Sequence, residues 1–524
     1  MLENFNYKNF YLITLLILIS FVINFYVGSI GVFPVDTFIH YDNGYRILLG
    51  DHPIKDYWIV HGFLIDYLQA FFFKIFGNFW HSYLIHSSLI NVFVTLFSYL
   101  TFRLLKISYF LAFTLSISIA ILAYPVSGTP FLDLHSSFFS LFAIFFAIFG
   151  IIKKKDFYWF WSSISLCIAF FSKQVPAAYI ILGISLFNVY VAVEKKRFSI
   201  FLFYILGGIT FLALIFLFLI SNNISIKDFL LQIFFFPQSI GTDRYSSYNL
   251  NIKNVFFDFK FIHIIILSLI VINITQIIKA KKYFKKEKFL IFIILLIYSF
   301  SIIFHQIYTK NQVYIFFLIP ILTGFLFYFS DTINNKFKKS LIYFFLILCL
   351  FTTIKYNERY NIKRKFHELT NTNLNNSIKI NFFGDKLKGL KWISPHFEDP
   401  KNELRKINEL YNLLKKDKKN KMLITEYNFL SSMLGQKLHA PSRTYDDISF
   451  PLKNSKYFQE YQIFLIKKIK SNNINSIYIF EPKKISNERL NHLIFNYISK
   501  DCFKFNDLDI LIKHLEVKSC KELG

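Results

Sequence analysis

Cysteine is scarce in this chain, and the four that occur form no Cys-x-x-Cys pair and no zinc-type spacing, so no cysteine metal motif is present. Cys167 and Cys349 lie in apolar runs and read as core residues. Cys502 and Cys520 lie in the C-terminal tail; in an oxidising compartment they could form a disulfide, and two free thiols is the alternative. No internal repeat is visible, which excludes a repeat array. No small-residue cleavage site follows the first apolar run, Tyr11 to about Val32, which predicts a retained first helix and not a cleavable signal. Acidic residues are few, 33 Asp and Glu against 59 Lys and Arg, for a net charge of +26. The basic residues sit in short clusters between apolar runs, so membrane topology accounts for them and nucleic-acid binding is not implied.

What the chain has in abundance is apolar length. Of 524 residues, 54% are hydrophobic and 20% aromatic, and mean hydropathy is +0.42. Many runs approach the roughly 20 residues that cross a bilayer. The pattern predicts a polytopic α-helical membrane protein with about eleven spans, near 9–31, 82–102, 108–124, 132–152, 157–172, 176–193, 199–220, 261–278, 289–306, 313–329 and 340–354. The pair at 157–193 turns on only Ser172-Lys173-Gln174-Val175-Pro176 and could instead be re-entrant.

The loops between these runs alternate in character. One set holds Arg103 and Lys106, Lys153 to Lys155, Lys195 to Arg197, Lys279 to Lys288, and Lys336 to Lys339. The other is longer and carries Asp36, Asp42, Asp51, Asp56, Asp66, Asp133, Asp228, Asp243 and Asp258. Lys and Arg favour the cytoplasmic side of short loops. The expected topology therefore has a cytoplasmic N-terminus, with the acidic loops and the tail on the extracytoplasmic face of the cytoplasmic membrane. Two domains follow: a membrane domain over 1–354 and an extracytoplasmic α/β domain over 355–524. In the tail, Met422 to Thr425 and Ser476 to Phe480 read as buried strands, and Asn402 to Lys415 and Tyr461 to Ile469 as amphipathic helices. Residues 63–77, apolar but interrupted by Asp66, Gln69 and Lys74, read as an amphipathic helix along the membrane surface.

The first outer loop, 32–80, is the most polar stretch of the membrane half, and ionisable groups beside a bilayer are costly enough to mark a site. Asp36 is followed by His40 and Asp42, then Tyr45-Arg46-Ile47-Leu48-Leu49-Gly50, Pro53-Ile54-Lys55-Asp56-Tyr57 and His61-Gly62. If 36–46 is one helix, Asp36 and His40 share a face and Asp42 falls off it.

This order of residues resembles the first extracytoplasmic loop of the GT-C class of integral-membrane glycosyltransferases, including the protein mannosyltransferase and aminoarabinose transferase type. The likeness covers residues 30–80 and extends to the many spans and the soluble tail. It departs where many relatives have Asp-Glu and this chain has Asp36-Thr37, and protein mannosyltransferase signatures are not evident elsewhere. The resemblance implies transfer of a sugar from a polyprenyl-phosphate donor to a glycan, lipid or protein acceptor, with Asp36 as general base and His40 and Asp42 beside it. Cations, a divalent metal such as Mg or Mn, or hydrogen-bond donors would offset the phosphate charge; some relatives need a metal and others do not.

Other outer-loop residues are candidates for donor phosphate: Lys173, Gln174, Arg244, His305 and Gln312. Asp133 and His135 are candidates for acceptor or metal. Ordinary roles compete with each, a snorkelling lysine at 173 and a helix-dipole partner at 133. In the tail, Arg443-Thr444-Tyr445-Asp446-Asp447 reads as a solvated turn whose carboxylates could instead bind acceptor sugar or a cation. A transporter or flippase, or a polymerase of lipid-linked glycans, is the alternative class. Transporters usually show polar breaks at mid-helix, whereas the ionisable residues here gather at helix ends.

Overall fold

The structure, a computed structural model, describes residues 7–246, 251–279, 286–309, 314–380 and 384–523. The chain forms two compact units, each assembled from separated segments. Helices and strands are numbered in chain order.

The helical unit comprises Met1–Gly28, Leu84–Leu217 and Arg244–Phe366. Its helices are α1 (Tyr7–Gly28), α5 (Trp80–Leu104), α6 (Tyr109–Leu122), α7 (Leu132–Lys153), α8 (Phe157–Ser172), α9 (Gln174–Glu194), α10 (Phe198–Ser221), α13 (Lys260–Lys279), α14 (Lys286–Thr309), α15 (Leu318–Phe329) and α16 (Asn335–Tyr356). Each of the eleven expected spans falls on one of these helices. Among the described residues, nine helices are long and apolar enough to cross a membrane, and α8 and α15 are shorter apolar helices. This is the make-up of a polytopic helical membrane protein.

Helix α7 is the buried centre, with Phe138, Leu141, Ile144, Phe145 and Ile148 all within the core, whereas α10 exposes Leu202, Leu206, Leu212 and Leu217. A helix apolar all round with one side left open suits a lipid-facing position. The chain between α6 and α7 is pinned from α1. Asn24 Nδ2 donates to Ser87 Oγ at 2.9 Å and to the Gly128 carbonyl at 3.3 Å. A Cβ on Gly28 would stand 2.4 Å from the Gly128 carbonyl oxygen, so this approach requires glycine.

The mixed unit comprises Ser29–Tyr83, Phe218–Asp243 and His367–Gly524. It contains the short helices α2 (Pro34–Thr37), α3 (Ile39–Leu48), α4 (Leu64–Phe76), α11 (Ile226–Leu230) and α12 (Phe236–Ser246), and from the tail α17 (Pro400–Lys416), α18 (Leu430–Leu434), α19 (Phe458–Ser471) and α20 (Asn487–Leu490). The first loop thus folds in one compact unit with the tail. The unit changes at 366–367, because α16 runs on through a wider turn to Ile362 before the chain leaves it.

A two-stranded pair, β1 (Ile378–Lys379) and β2 (Lys391–Trp392), stands apart from a four-stranded sheet of β3 (Lys421–Thr425), β4 (Ser476–Phe480), β5 (Phe503–Asp507) and β6 (Ile512–Val517). The sheet order is β3-β4-β6-β5, with β3 and β4 parallel and the other pairs antiparallel. Every residue of β3 and β4 is buried, although β3 is the edge strand of the sheet. Helix α17 starts at the Asp399 cap with Pro400 in its first turn, and buries Leu404, Ile407, Leu410 and Leu414 at helical spacing. Cys502 and Cys520 are joined in a disulfide, with Cα atoms 5.2 Å apart. Trp58 of the first loop enters the core of this unit, edge-on to Phe236, Tyr461 and Phe464.

Candidate functional site

In the helical unit, three sequence candidates converge. Asp133, in the first turn of α7, is buried, and each of its oxygens is taken. Oδ2 lies 2.6 Å from Nζ of Lys173 and Oδ1 lies 2.7 Å from Nε2 of His305. Lys173 stands at the α8–α9 junction, where its carbonyl accepts from Ser136 Oγ at 3.0 Å. His305 is near the end of α14 and is 1% exposed. A lysine and a histidine brought to one carboxylate by three helices give a charge-balanced cluster. An anion that competed with Asp133 would meet the Lys173 ammonium and the His305 ring there.

His135 lies two residues on from Asp133 and joins a different group. Its Nδ1 is 2.5 Å from Tyr124 Oη, and its Nε2 is 3.0 Å from Nε2 of His86. One of these two facing nitrogens donates and the other accepts, so the imidazoles hold complementary tautomers. Sequence reading left out His86 and Tyr124. Histidine inside an apolar span was the available signal. Gln174 is buried at the start of α9. Arg364, also buried, donates to the Ser127 carbonyl at 3.0 Å and holds the chain between α6 and α7. Gln312 lies outside the described residues, as does the side chain of Arg244.

In the mixed unit, residues 36–46 do not form one helix, so the condition for Asp36 and His40 sharing a helical face is not met. Pro34 opens α2, the Thr37 hydroxyl accepts from the Phe33 amide at 2.9 Å, and the chain restarts at Ile39 as α3. Asp36 sits in the four-residue α2 and is half-buried. His40 is buried on α3, with Nδ1 2.6 Å from Asp66 Oδ1 of α4. The other Asp66 oxygen accepts from the Arg443 guanidinium, which also donates to the Gly62 carbonyl at 3.1 Å. Backbone bonds fix Arg443: its amide donates to the Trp58 carbonyl at 3.1 Å, and the Trp58 amide to the Pro441 carbonyl at 2.9 Å.

Burial lowers the His40 pKa against the pull of Asp66, so its neutral form is favoured. Burial works to raise Asp66, but Arg443 and His40 outweigh it and hold the carboxyl below its ordinary range. The His40 proton therefore sits on Nδ1, donating to Asp66. Nε2 is left as an acceptor, buried and without a hydrogen-bond partner among the described residues. From sequence, Asp66 read as an interruption in a surface helix and Arg443 as part of a tail turn. Pairing across 377 positions leaves no local signal.

Asp42 is buried and accepts from the Ser431 hydroxyl of α18. Burial pushes its carboxyl up to about 6, against the opposing charge of Arg46. Arg46 donates to the Ala440 carbonyl at 2.9 Å, stacks 3.9 Å over the Tyr57 ring, and lies 3.5 Å from Asp51. Asp51 also meets Lys437 at 2.8 Å. Of Asp36, His40 and Asp42, then, the last two are enclosed and Asp36 is the one partly open. No group of three or more His, Cys, Asp or Glu side chains is placed to hold a metal among the described residues. No model of a known protein family matches the chain, and no curated protein sequence matches it.

Proposed function

We propose that the protein is an inverting membrane glycosyltransferase that moves a sugar from a polyprenyl-phosphate donor to a hydroxyl acceptor on the outer face of the cytoplasmic membrane. The observation that carries this reading is the accessibility of Asp36. It is half-buried, in a loop whose other candidate residues, His40 and Asp42, are buried, within a chain that carries many apolar helices. The acceptor oxygen attacks the anomeric carbon as Asp36 takes its proton. The bond from that carbon to the phosphate oxygen breaks, and the phosphate leaves with the electron pair.

The buried His86–His135–Tyr124 chain favours a second reading, translocation of a lipid-linked glycan, because buried ionisable groups among membrane helices often mark transport paths. Purified protein in liposomes separates the two. Labelled sugar released from polyprenyl-phosphate donors in the presence of membrane glycans supports transfer. Movement of intact lipid-linked sugar between leaflets without release supports translocation and sinks the transferase reading.

A further inference from the structure

The parallel strands β3 and β4 end side by side, and the residues that follow them are Glu426 and Glu481. In sheets of this kind, ligands bind beyond the carboxyl ends of parallel strands. The edge here is mixed in charge and partly open. Arg489 Nε donates to Glu481 Oε1 at 2.6 Å, and Arg489 Nη2 donates to the Tyr445 carbonyl at 2.8 Å. His396 faces Glu426 with Nε2 3.8 Å from Oε2, and that nitrogen has no hydrogen-bond partner among the described residues. A gap of this width is too long for a direct hydrogen bond.

The first loop reaches this edge. Gly31 and Val32 donate to the carbonyls of Lys391 and Ile393 at 3.0 and 2.9 Å, so 31–32 run beside the segment leading to His396. Phe33 lies against the His396 ring, centroids 5.6 Å apart. Asp36 is three residues further on. Burial, aided by the charge of Lys483, lowers His396 to about 4. The imidazole is therefore neutral at pH 7, a donor and an acceptor at once.

We infer that Glu426, His396 and Glu481, with the face of Phe33, form a subsite for a carbohydrate acceptor whose hydroxyl is delivered to Asp36. The inference rests on the transferase reading above. The chemistry fits a polyol: carboxylates accept from hydroxyl groups, neutral imidazole bonds either way, and an aromatic face covers the sugar's C–H surface. Asp446, the tail carboxylate that sequence singled out, accepts from the Ile448 amide and the Ser449 hydroxyl and so caps its own turn. Glu426 and Glu481 take the role instead.

The test uses full-length protein in lipid nanodiscs with labelled polyprenyl-phosphate sugar. Donor hydrolysis, in which water takes the sugar, is measured beside transfer to a titrated membrane glycan extract. Glu426→Gln and His396→Ala are expected to raise the acceptor KM at least tenfold while leaving donor KM and hydrolysis unchanged, and His396→Asn to recover part of the loss. An unchanged acceptor KM in both variants, or a donor KM rising in step, overturns the subsite. If wild type neither hydrolyses nor transfers, the transferase reading fails. Saturation-transfer NMR with a mixture of mannotriose, maltotriose and chitotriose then decides the site alone. Binding by wild type that Glu426→Gln abolishes supports it, and no binding by wild type, or equal binding by both, overturns it.

Discussion

Asp42 shows what burial does to a single carboxyl. Enclosed on α3 and bonded to Ser431, it is pushed up to about 6, above its unfolded value of 3.8. Between those values the folded state holds a proton that the unfolded state has lost, so the contribution of Asp42 to stability is full below pH 3.8 and is lost as pH rises through 6. A shift of this size corresponds to about 3 kcal/mol. Asp42→Asn should remove that decline, so thermal unfolding midpoints of variant and wild type should diverge from pH 4 to pH 7 in favour of the variant. Parallel curves would mean that Asp42 ionises freely. Asp66 runs the other way. Arg443 and His40 hold it below its ordinary value, so its contribution is present above pH 3.8 and is lost as pH falls further. Asp133 belongs to a different kind of site, a carboxylate between a lysine and a histidine. Asp133→Ala strands Lys173 and His305 and should destabilise by about 3–5 kcal/mol. Asp133→Ala/Lys173→Met should recover part of this, read as urea or thermal unfolding in detergent. No recovery would mean that the pair is not coupled.

At the scale of elements, α4 leaves apolar side chains exposed. It buries Asp66 and Gln69 beside Ile65, Ala70 and Phe73, while Phe71, Ile75 and Phe76 are 56%, 54% and 46% exposed. An apolar stripe turned outward fits a helix lying in a lipid interface. A fluorophore at Ile75 should be quenched by brominated lipid several-fold more than one at Lys55, also exposed in the same unit. Equal quenching would contradict the interfacial placement. Helices and strands were legible in the sequence where one period dominated: all the apolar runs, the α17 stripe, and the unbroken runs of β3 and β4. The break between α2 and α3 was not legible, because Asp36 to Arg46 contains no proline or glycine until Gly44. The break falls at Phe38, whose φ of −103° and ψ of −2° separate the two helices. Asp133, Lys173 and His305 were each legible as polar residues at helix ends. Their meeting was not, since it depends on the packing of α7, α9 and α14. Partners of the loop such as Arg443 and Ser431 lay hidden in a tail almost 400 residues away.

For the whole molecule, the first loop and the tail form one mixed unit, and the apolar helices gather in the other. A loop folded with a tail domain has its polar side chains held by partners from that domain: Arg443 on Asp66, Ser431 on Asp42, Lys437 on Asp51. Asp36 is half-buried, at the position the glycosyltransferase reading gives to the base. The most direct measurement is the rate of labelled-sugar transfer from polyprenyl-phosphate donors by wild type and by Asp36→Asn, matched for folding by thermal midpoint. The account predicts measurable transfer by wild type and a loss of at least 100-fold in kcat for the variant, the scale of a general base removed. Transfer by Asp36→Asn at the wild-type rate would contradict it.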